Sequence, residues 1–329
     1  MLFRSGSATA WVPGSKPVWF TEIGCPAVSN GANQPNVFFT PKSSEGALPF
    51  YSEAVRDDFM QRQYLRAALE WWRDNGAGVV DIDNIQVWAW DARPFPEFPT
   101  CSGYWSDGPD WRFGHWLNGR AGAAPAAEAI TRRLARHGID PAAFDVSVVY
   151  GQADGYPAPG PLSFRDWFQP WEVSFALTAT EAGGTLRFLS RDAARALATV
   201  TPAGFVDSGE GSTFTALRAA LEDVAGVAVF RFRDGVKDYD TGAVRVSIAA
   251  GPERGVSDAE TPLVLDYDRG ARAAERLLRG AADGRESLTF RLPRSAADVV
   301  PGVVLPVEIG GQTRDMMVGK VIDGTAKTV

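Results

Sequence analysis

Two histidines, His115 and His137, and two cysteines, Cys25 and Cys101, in 329 residues leave little from which to build a metal centre or a disulfide framework. The cysteines are too few for a zinc cluster, and both read as reduced, buried thiols rather than as a bridge. Basic residues are outnumbered, 33 Lys and Arg against 40 Asp and Glu, for a net charge of −7. The basic face that nucleic-acid binding needs is therefore missing. No apolar run approaches the ~18 residues of a membrane span, and stretches such as Val299–Val307 are strand-length and interrupted by Pro and Gly. No glycine-rich phosphate loop of the Walker type and no metal-ligand spacing is present, so no cofactor is expected. Asp266, Asp268 and Asp283 read as a solvated, helix-capping face rather than a calcium site.

Tryptophan is abundant and unevenly placed. Of the eleven, Trp11, Trp19, Trp71, Trp72, Trp88, Trp90, Trp105, Trp111 and Trp116 fall in the first 120 residues, and only Trp167 and Trp171 lie beyond. The chain also exceeds the ~100–200 residues of a typical domain. The two facts together predict two domains, 11–122 and 123–329, with the boundary near Gly119–Pro125. Residues 1–10 read as an artefactual or linker start. Met1–Ser5 resembles the translation of a sequencing-adapter end, and neither it nor the Gly/Ser/Ala stretch after it has the apolar segment of a signal peptide. Native sequence is accordingly expected upstream.

The first part reads as strand, long loop, helix, strand. Pro17–Gly24 is a short apolar run between Pro and Gly, and is predicted to be a buried strand. Ser29–Pro49, rich in Asn, Pro, Ser and Gly, is predicted to be a loop longer than the ~12–15 residues at which loops are usually functional or disordered. Glu53–Asp74 is predicted to be a helix capped by Ser52 and ended by Asn75–Gly76, and Asn84–Trp90 the next buried strand. Strand–helix–strand at this spacing predicts a parallel βα arrangement, although two such units are far from the eight of a closed barrel. In the second part the pattern predicts helices at Pro125–His137 and Tyr267–Ala282. Ser163 is expected to cap a helical stretch through Trp171, which Pro170 would strain unless the helix breaks there. Strands are predicted at Phe144–Gly151, Ala228–Arg233, Val244–Ala249, Ser287–Leu292, Val303–Ile309 and Arg314–Ile322. Phe175–Thr180 and Thr185–Ser190 flank Gly183–Gly184 as a hairpin. This half is α+β and holds nothing that reads as catalytic.

Glu22 is the sharpest candidate for chemistry. A carboxylate near the C-terminal end of a buried strand, followed by a long loop, occupies the part of a βα barrel where active sites are built. It would suit a nucleophile in glycoside hydrolysis, with a second carboxylic acid protonating the leaving oxygen; the alternative is a hydrogen-bonded structural carboxylate. Trp88 and Trp90 alternate onto one side of the following strand. Either can fill a core, the preferred reading for Trp88, and Trp90 can equally floor a sugar subsite. Asp91, Arg93 and Asn33 complete the candidate substrate-binding set. Asp81 and Asp83 flank the second strand at the wrong end to partner Glu22.

The segments KPVWFTEIGCPAVSNGANQPNVFFTPKSSE, DNIQVWAWDARPFPEFP and DWRFGHWLNGR resemble the end of the barrel-like domain of gene-transfer-agent and phage tail baseplate hub proteins of the glycoside hydrolase/phage tail type. LTATEAGGTLRFLSR, DGVKDYDTGAVRVS, ARAAERLLRGA and LTFRLPRSAADVVPG resemble the tip-attachment, J-like tail hub that follows that barrel. The resemblance implies a partial TIM-barrel-like segment, its last two βα units, followed by an α+β hub domain. It makes Pro17–Gly24 the seventh barrel strand and Asn84–Trp90 the eighth, with Glu22 at the nucleophile position of retaining glycosidases. Their acid/base Glu ends the fourth strand, which this chain lacks, so the chain is expected to be inactive on sugars. The resemblance further implies a virion or gene-transfer-agent tail location after production in the bacterial cytoplasm. The implied partners are other tail and baseplate proteins, a homotrimeric ring and cell-envelope glycan. The alternatives are a free-standing glycoside hydrolase, and a carbohydrate-binding protein using Trp90, Trp105 and Trp111.

Overall fold

The computed structural model describes residues 12, 14–94, 97–117, 123–157, 160–191, 197–207, 213–235, 237, 239–247 and 255–329. The expected start segment 1–10, Trp11, most of the boundary stretch and the last two residues of the strand expected to reach Ala249 lie outside them. The chain is mixed α/β and divides into two compact units, Met1–Ala123 and Ala124–Val329.

In unit 1, β1 (Val18–Ile23) and β2 (Val80–Val87) pair in parallel, with α1 (Asp58–Asn75) between them in sequence. The ladder joins Val18 to Val80, Phe20 to Ile85 and Ile23 to Val87, with register shifts between these points. Phe20 meets Trp72 of α1 edge-on at 4.8 Å between centroids, fixing the helix to the strand. The helix starts later than its composition suggests. Tyr51 and Ala54 hold left-handed φ of 64° and 58°, a conformation that no α-helical turn can include. The cap is therefore Asp57, whose side chain accepts from Met60 N at 2.9 Å. Ser52, the expected cap, instead accepts from Ala54 N at 3.3 Å.

The strand after α1 starts earlier than its apolar run. Gly76 closes the helix, its carbonyl accepts from Val79 N and Val80 N, and Val79 O accepts from Val18 N, so pairing begins at once. Asp81 and Asp83 consequently lie inside β2 instead of flanking it, and Trp88 and Trp90 fall beyond its end. Both cysteines are free, but only Cys25 is buried; Cys101 is exposed, contrary to expectation, where its amide closes the short turn Glu97–Thr100.

Unit 2 has two apolar clusters. In the first, α2 (Ala126–Arg136) turns Ala126, Ile130 and Leu134 inward at four-residue spacing. β3 (Phe144–Val148) follows. Next, α3 (Phe164–Phe175), capped by Ser163 accepting from Asp166 N at 3.1 Å, runs straight through Pro170. The helix survives the lost amide donor because Trp167, Phe168, Trp171 and Phe175 are all buried along it, and Ser174 Oγ donates to the Pro170 carbonyl at 2.7 Å. With the helix reaching Phe175, the hairpin's first strand β4 starts at Leu177 and runs to Ala182, ahead of β5 (Thr185–Ser190). Gly183 and Gly184, at φ 60° and 76°, supply the two left-handed positions of the tight turn.

β6 (Phe214–Arg218) was not foreseen. β7 (Val227–Asp234), β8 (Thr241–Ser247) and the unforeseen β9 (Val256–Leu265) form one sheet in the order β8-β7-β9. The β7–β9 register shifts between Glu260 and Val264, where Pro262 cannot donate to the ladder. α4 (Tyr267–Asp283) packs on this sheet, with Asp266 capping it through Arg269 N at 2.7 Å. The second cluster, around Phe205, Phe290, Leu305 and Val307, lies among β10 (Glu286–Leu292), which pairs with β6, and the hairpin β11 (Val304–Ile309)–β12 (Gln312–Met317).

Candidate functional site

The C-terminal ends of β1 and β2 meet where Trp88 N donates to Ile23 O at 2.9 Å. The contact needs glycine: a Cβ on Gly24 would sit 2.6 Å from the Trp88 carbonyl oxygen. The Trp88–Ala89 peptide is cis, and Ala89 O accepts from Leu117 N at 3.0 Å. Glu22 is exposed at this end of β1. The register shift between Phe20 and Ile23 interrupts the alternation from which its direction would otherwise be read. Trp88 and Trp90 are 41% and 66% exposed. The expectation that Trp88 fills a core is thus overturned, because the strand that would have turned it inward ends at Val87.

Asp91 and Arg93 are brought together, but chiefly with each other. Arg93 Nε lies 2.9 and 3.0 Å from the two oxygens of Asp91, and its Nη1 lies 2.8 and 3.0 Å from those of Asp107. The guanidinium also sits over the Phe98 ring at 3.7 Å and the Trp116 ring at 4.7 Å. Burial pushes the Asp91 carboxyl up, but the hydrogen bonds and charge of Arg93 outweigh it and leave it below the usual range. Hydrogen bonding from Arg93 lowers Asp107 likewise, and Arg93 itself is raised, first by its hydrogen bonds to Asp91. Asn33 donates to the Phe50 carbonyl at 2.9 Å.

The loop after β1 is fastened at several points. Ala27 N donates to Gly114 O at 3.1 Å, and the buried Gln61 side chain donates to Cys25 O at 2.9 Å. Thr40 Oγ1 donates to Asp110 at 3.0 Å, and the ring of His115 bonds Phe39 O through Nε2 at 2.8 Å. Of the other candidate sugar-stacking indoles, Trp111 is covered by the Arg56 guanidinium at 4.5 Å, and Trp105 packs on Phe98 at 6.0 Å between centroids. Burial, and then the charge of Asp57, push the Cys25 thiol up to about 12, so it stays protonated. The sequence reading passed over the most exposed aromatics of this loop, Phe50 and Tyr51. The signal was there in Leu48-Pro49-Phe50-Tyr51, an apolar run inside an otherwise polar loop.

Chemically, this sheet end carries an exposed carboxylate on one strand and exposed indoles after the other. Asp91 is engaged by Arg93, while Asp81 and Asp83 lie toward the end of β2 that pairs with Val18, away from Ile23. Among the described residues no group of three or more His, Cys, Asp or Glu is placed to hold a metal ion, and no described helix is long and apolar enough to cross a membrane.

Residues 2–99 match the GTA TIM-barrel-like domain family, and residues 163–321 match a putative phage tail protein family. Among solved structures, a chain of the virion of a native gene transfer agent particle aligns at a TM-score of 0.58 and 26% identity over 73% of this chain. The alignment covers 52% of that virion chain, so the protein spans about half its length. The 43 kDa tail protein of prophage MuSo2 from Shewanella oneidensis aligns at 0.41 and 10% identity, over 63% of this chain and 66% of that one. A tail protein from Neisseria meningitidis MC58 aligns at 0.40 and 11%, over 63% and 65%. No curated protein matches. The chain thus carries a GTA TIM-barrel-like segment followed by a phage tail segment, and it is similar to the tail proteins of phages and gene transfer agents.

Proposed function

We propose that this tail protein is a baseplate hub component whose leading segment, 11–122, touches host-envelope glycan and whose 123–329 segment builds the hub. In this reading β1 and β2 are the seventh and eighth strands of a glycosidase-like barrel, and Glu22, Trp90, Asp91, Arg93 and Asn33 lie around its mouth. The observation that carries it is the pair of parallel strand ends joined at Ile23 and Trp88, with Glu22 and two indoles exposed there. Trp90 would stack a sugar ring and Glu22 would accept from its hydroxyls, while Arg93 holds Asp91 and the segment around it in place. The contact is one of binding. A retaining site needs two carboxyl groups ~5–5.5 Å apart, and Asp91 is held by Arg93. Unit 2, with its apolar clusters and the sheet edges of β8 and β9, would meet other copies in a trimeric ring and neighbouring tail proteins.

Immunogold labelling of released particles tests the placement. Label is expected at the tail tip; label along the shaft or on the head would overturn the hub assignment. Incubation of the chain with purified peptidoglycan sacculi tests the contact: the protein is expected to co-sediment without releasing reducing ends, and Glu22→Gln to weaken the co-sedimentation, whereas a release of reducing ends that Glu22→Gln abolishes would overturn the binding reading.

A further inference from the structure

In the loop between β1 and α1, Phe50 and Tyr51 are 63% and 88% exposed, with ring centroids 6.5 Å apart and planes at 51°. The backbone that carries them is held by side-chain hydrogen bonds. Asn30 Nδ2 donates to Tyr51 O at 2.8 Å, Asn33 Nδ2 donates to Phe50 O at 2.9 Å, and Gln34 Oε1 accepts from Phe50 N at 3.1 Å. Ser52 N adds a bond to Pro49 O at 3.0 Å, and Ser29 N one to Val55 O at 2.7 Å. Tyr51 itself is left-handed at φ 64°, as are Asn30 at 56° and Ala54 at 58°. Asn visits this conformation readily, whereas Tyr and Ala keep it only where their surroundings over-determine it. Glycine would serve the backbone at Tyr51 better, so the ring is the reason for a tyrosine there.

The side chains that bond the backbone of the pair, Asn30, Asn33 and Gln34, are neutral amides, and the nearest charged side chain along the chain, Glu53, is anionic. Each of these amides has a second polar end besides the one used in its bond to the backbone of the pair. The only cation in residues 24–55 is Lys42, and its ammonium is bonded to the Ser106 carbonyl. An anionic ligand therefore finds no free partner on this loop, whereas a ligand with apolar faces and many hydroxyls finds ring faces and amide groups together.

We propose that Phe50 and Tyr51 form a preorganised stacking platform for a neutral, hydroxyl-rich glycan. This rests on the glycan-contact reading above and adds a ligand class and a second contact beside Trp90. Both rings are exposed, that of Tyr51 on a left-handed backbone, and the three amide side chains fix the segment before the ligand arrives, so little ordering is lost on binding. Asn33 thereby acts as a positioning residue for Phe50.

The test uses the full chain, with purified peptidoglycan sacculi in co-sedimentation and the soluble N-acetylglucosamine tetramer in calorimetry as probes. Tyr51→Gly removes the ring while suiting the left-handed backbone, so folding is preserved. It is expected to weaken binding roughly tenfold, and Tyr51→Phe to stay within about twofold of the parent. If Tyr51→Gly binds like the parent while Trp90→Ala loses binding, the glycan reading stands and the platform is overturned. If the parent chain binds neither probe, both are overturned. If Tyr51→Gly alters only self-association in sedimentation velocity, the pair is a protein contact and not a glycan site.

Discussion

The two units solve the problem of holding a fold together in different ways. Unit 2 buries large apolar side chains, with Phe188, Phe230, Phe232 and Leu263 all at 1% exposure or less, in a cluster fed by three helices and two sheets. In unit 1 the buried apolar residues are mostly small, such as Cys25, Ala27 and Val28, with Phe98 the large exception. Several of its aromatics are instead at the surface, such as Trp90 and Tyr51, or under guanidinium groups, Arg56 over Trp111 and Arg93 over Phe98 and Trp116. A unit built this way can display rings to a ligand, but it relies on charge and hydrogen bonds, which respond to pH and salt as apolar burial does not.

The largest effect that separates the units comes from deleting an apolar side chain where burial dominates. Phe230→Ala should cost unit 2 about 3–5 kcal/mol. Hydrogen-exchange mass spectrometry is the readout, because it reports each unit by its own peptides. Protection should fall in β7 and α4 and stay unchanged in α1. An equal loss in α1 would mean that the units unfold as one and that the contrast has no energetic content.

Arg93→Ala should act on the other side. It leaves the Asp91 side chain, 6% exposed, without its cation and uncovers Phe98 and Trp116. The expected cost is roughly 2–3 kcal/mol, read as faster exchange in residues 88–117 only. Arg93→Lys should recover less than half, since an ammonium cannot bridge two carboxylates and stack on two rings at once.

Acid sharpens the contrast at smaller magnitude. Asp91 and Asp107 both titrate below the unfolded carboxylate value of about 3.9. A depressed carboxylate stabilises the fold above that value, and the contribution is lost as pH falls through the folded-state values. Residues 88–117 should therefore loosen as the medium is taken below about pH 4, and Arg93→Ala should abolish that dependence. In unit 2 the signs oppose one another. Asp145 is lowered, first by the Ser147 backbone amide, whereas burial raises Glu172, whose protonation in acid is stabilising. The first cluster of unit 2 should hardly change over the same range. If exchange quickens there as early as in residues 88–117, the electrostatic account of unit 1 is wrong.

How much could be read from the sequence follows the same division. The hairpin at Gly183–Gly184 and the helix after Asp266 were legible because turn chemistry and helical periodicity are local signals. β9 was missed because VSDAETPLVL carries two acids and a proline, and becomes a strand only by pairing along β7. The helix capped by Ser163 was legible, but its passage through Pro170 was not decided by the sequence, because burial of Trp167 and Trp171, a tertiary effect, outweighs one lost backbone bond. In unit 1 Glu22 was correctly placed near a strand end, but that strand, expected to be buried, is exposed or half-buried throughout, and the exposure of Trp88 depended on a boundary that the apolar run NIQVWAW obscured. Asp91 and Arg93 could be named together from sequence, whereas Asp107 and the two rings that make them an ion-pair node could not, since nothing local joins residue 93 to residues 98, 107 and 116.

The smallest effect concerns where α1 begins, and it tests whether the loop's left-handed backbone or its serine sets the boundary. Asp57 accepts from Met60 N, and its own amide donates to Ala27 O at 2.8 Å, so it both caps the helix and ties the loop's last residues to its first. Asp57→Ala should cost ~1 kcal/mol, the ordinary value of a lost N-cap. The Cys25 thiol should fall somewhat from about 12, since the Asp57 charge is the lesser of the two causes that raise it. Ser52→Ala loses only the bonds to Ala54 N and Ser29 and should leave α1 exchange unchanged. If instead Ser52→Ala frays the helix and Asp57→Ala does not, then α1 extends back through Tyr51 and Ala54 in solution. The left-handed turn that presents Phe50 and Tyr51 would then be absent, and unit 1 would lose the rigid display that distinguishes it from unit 2.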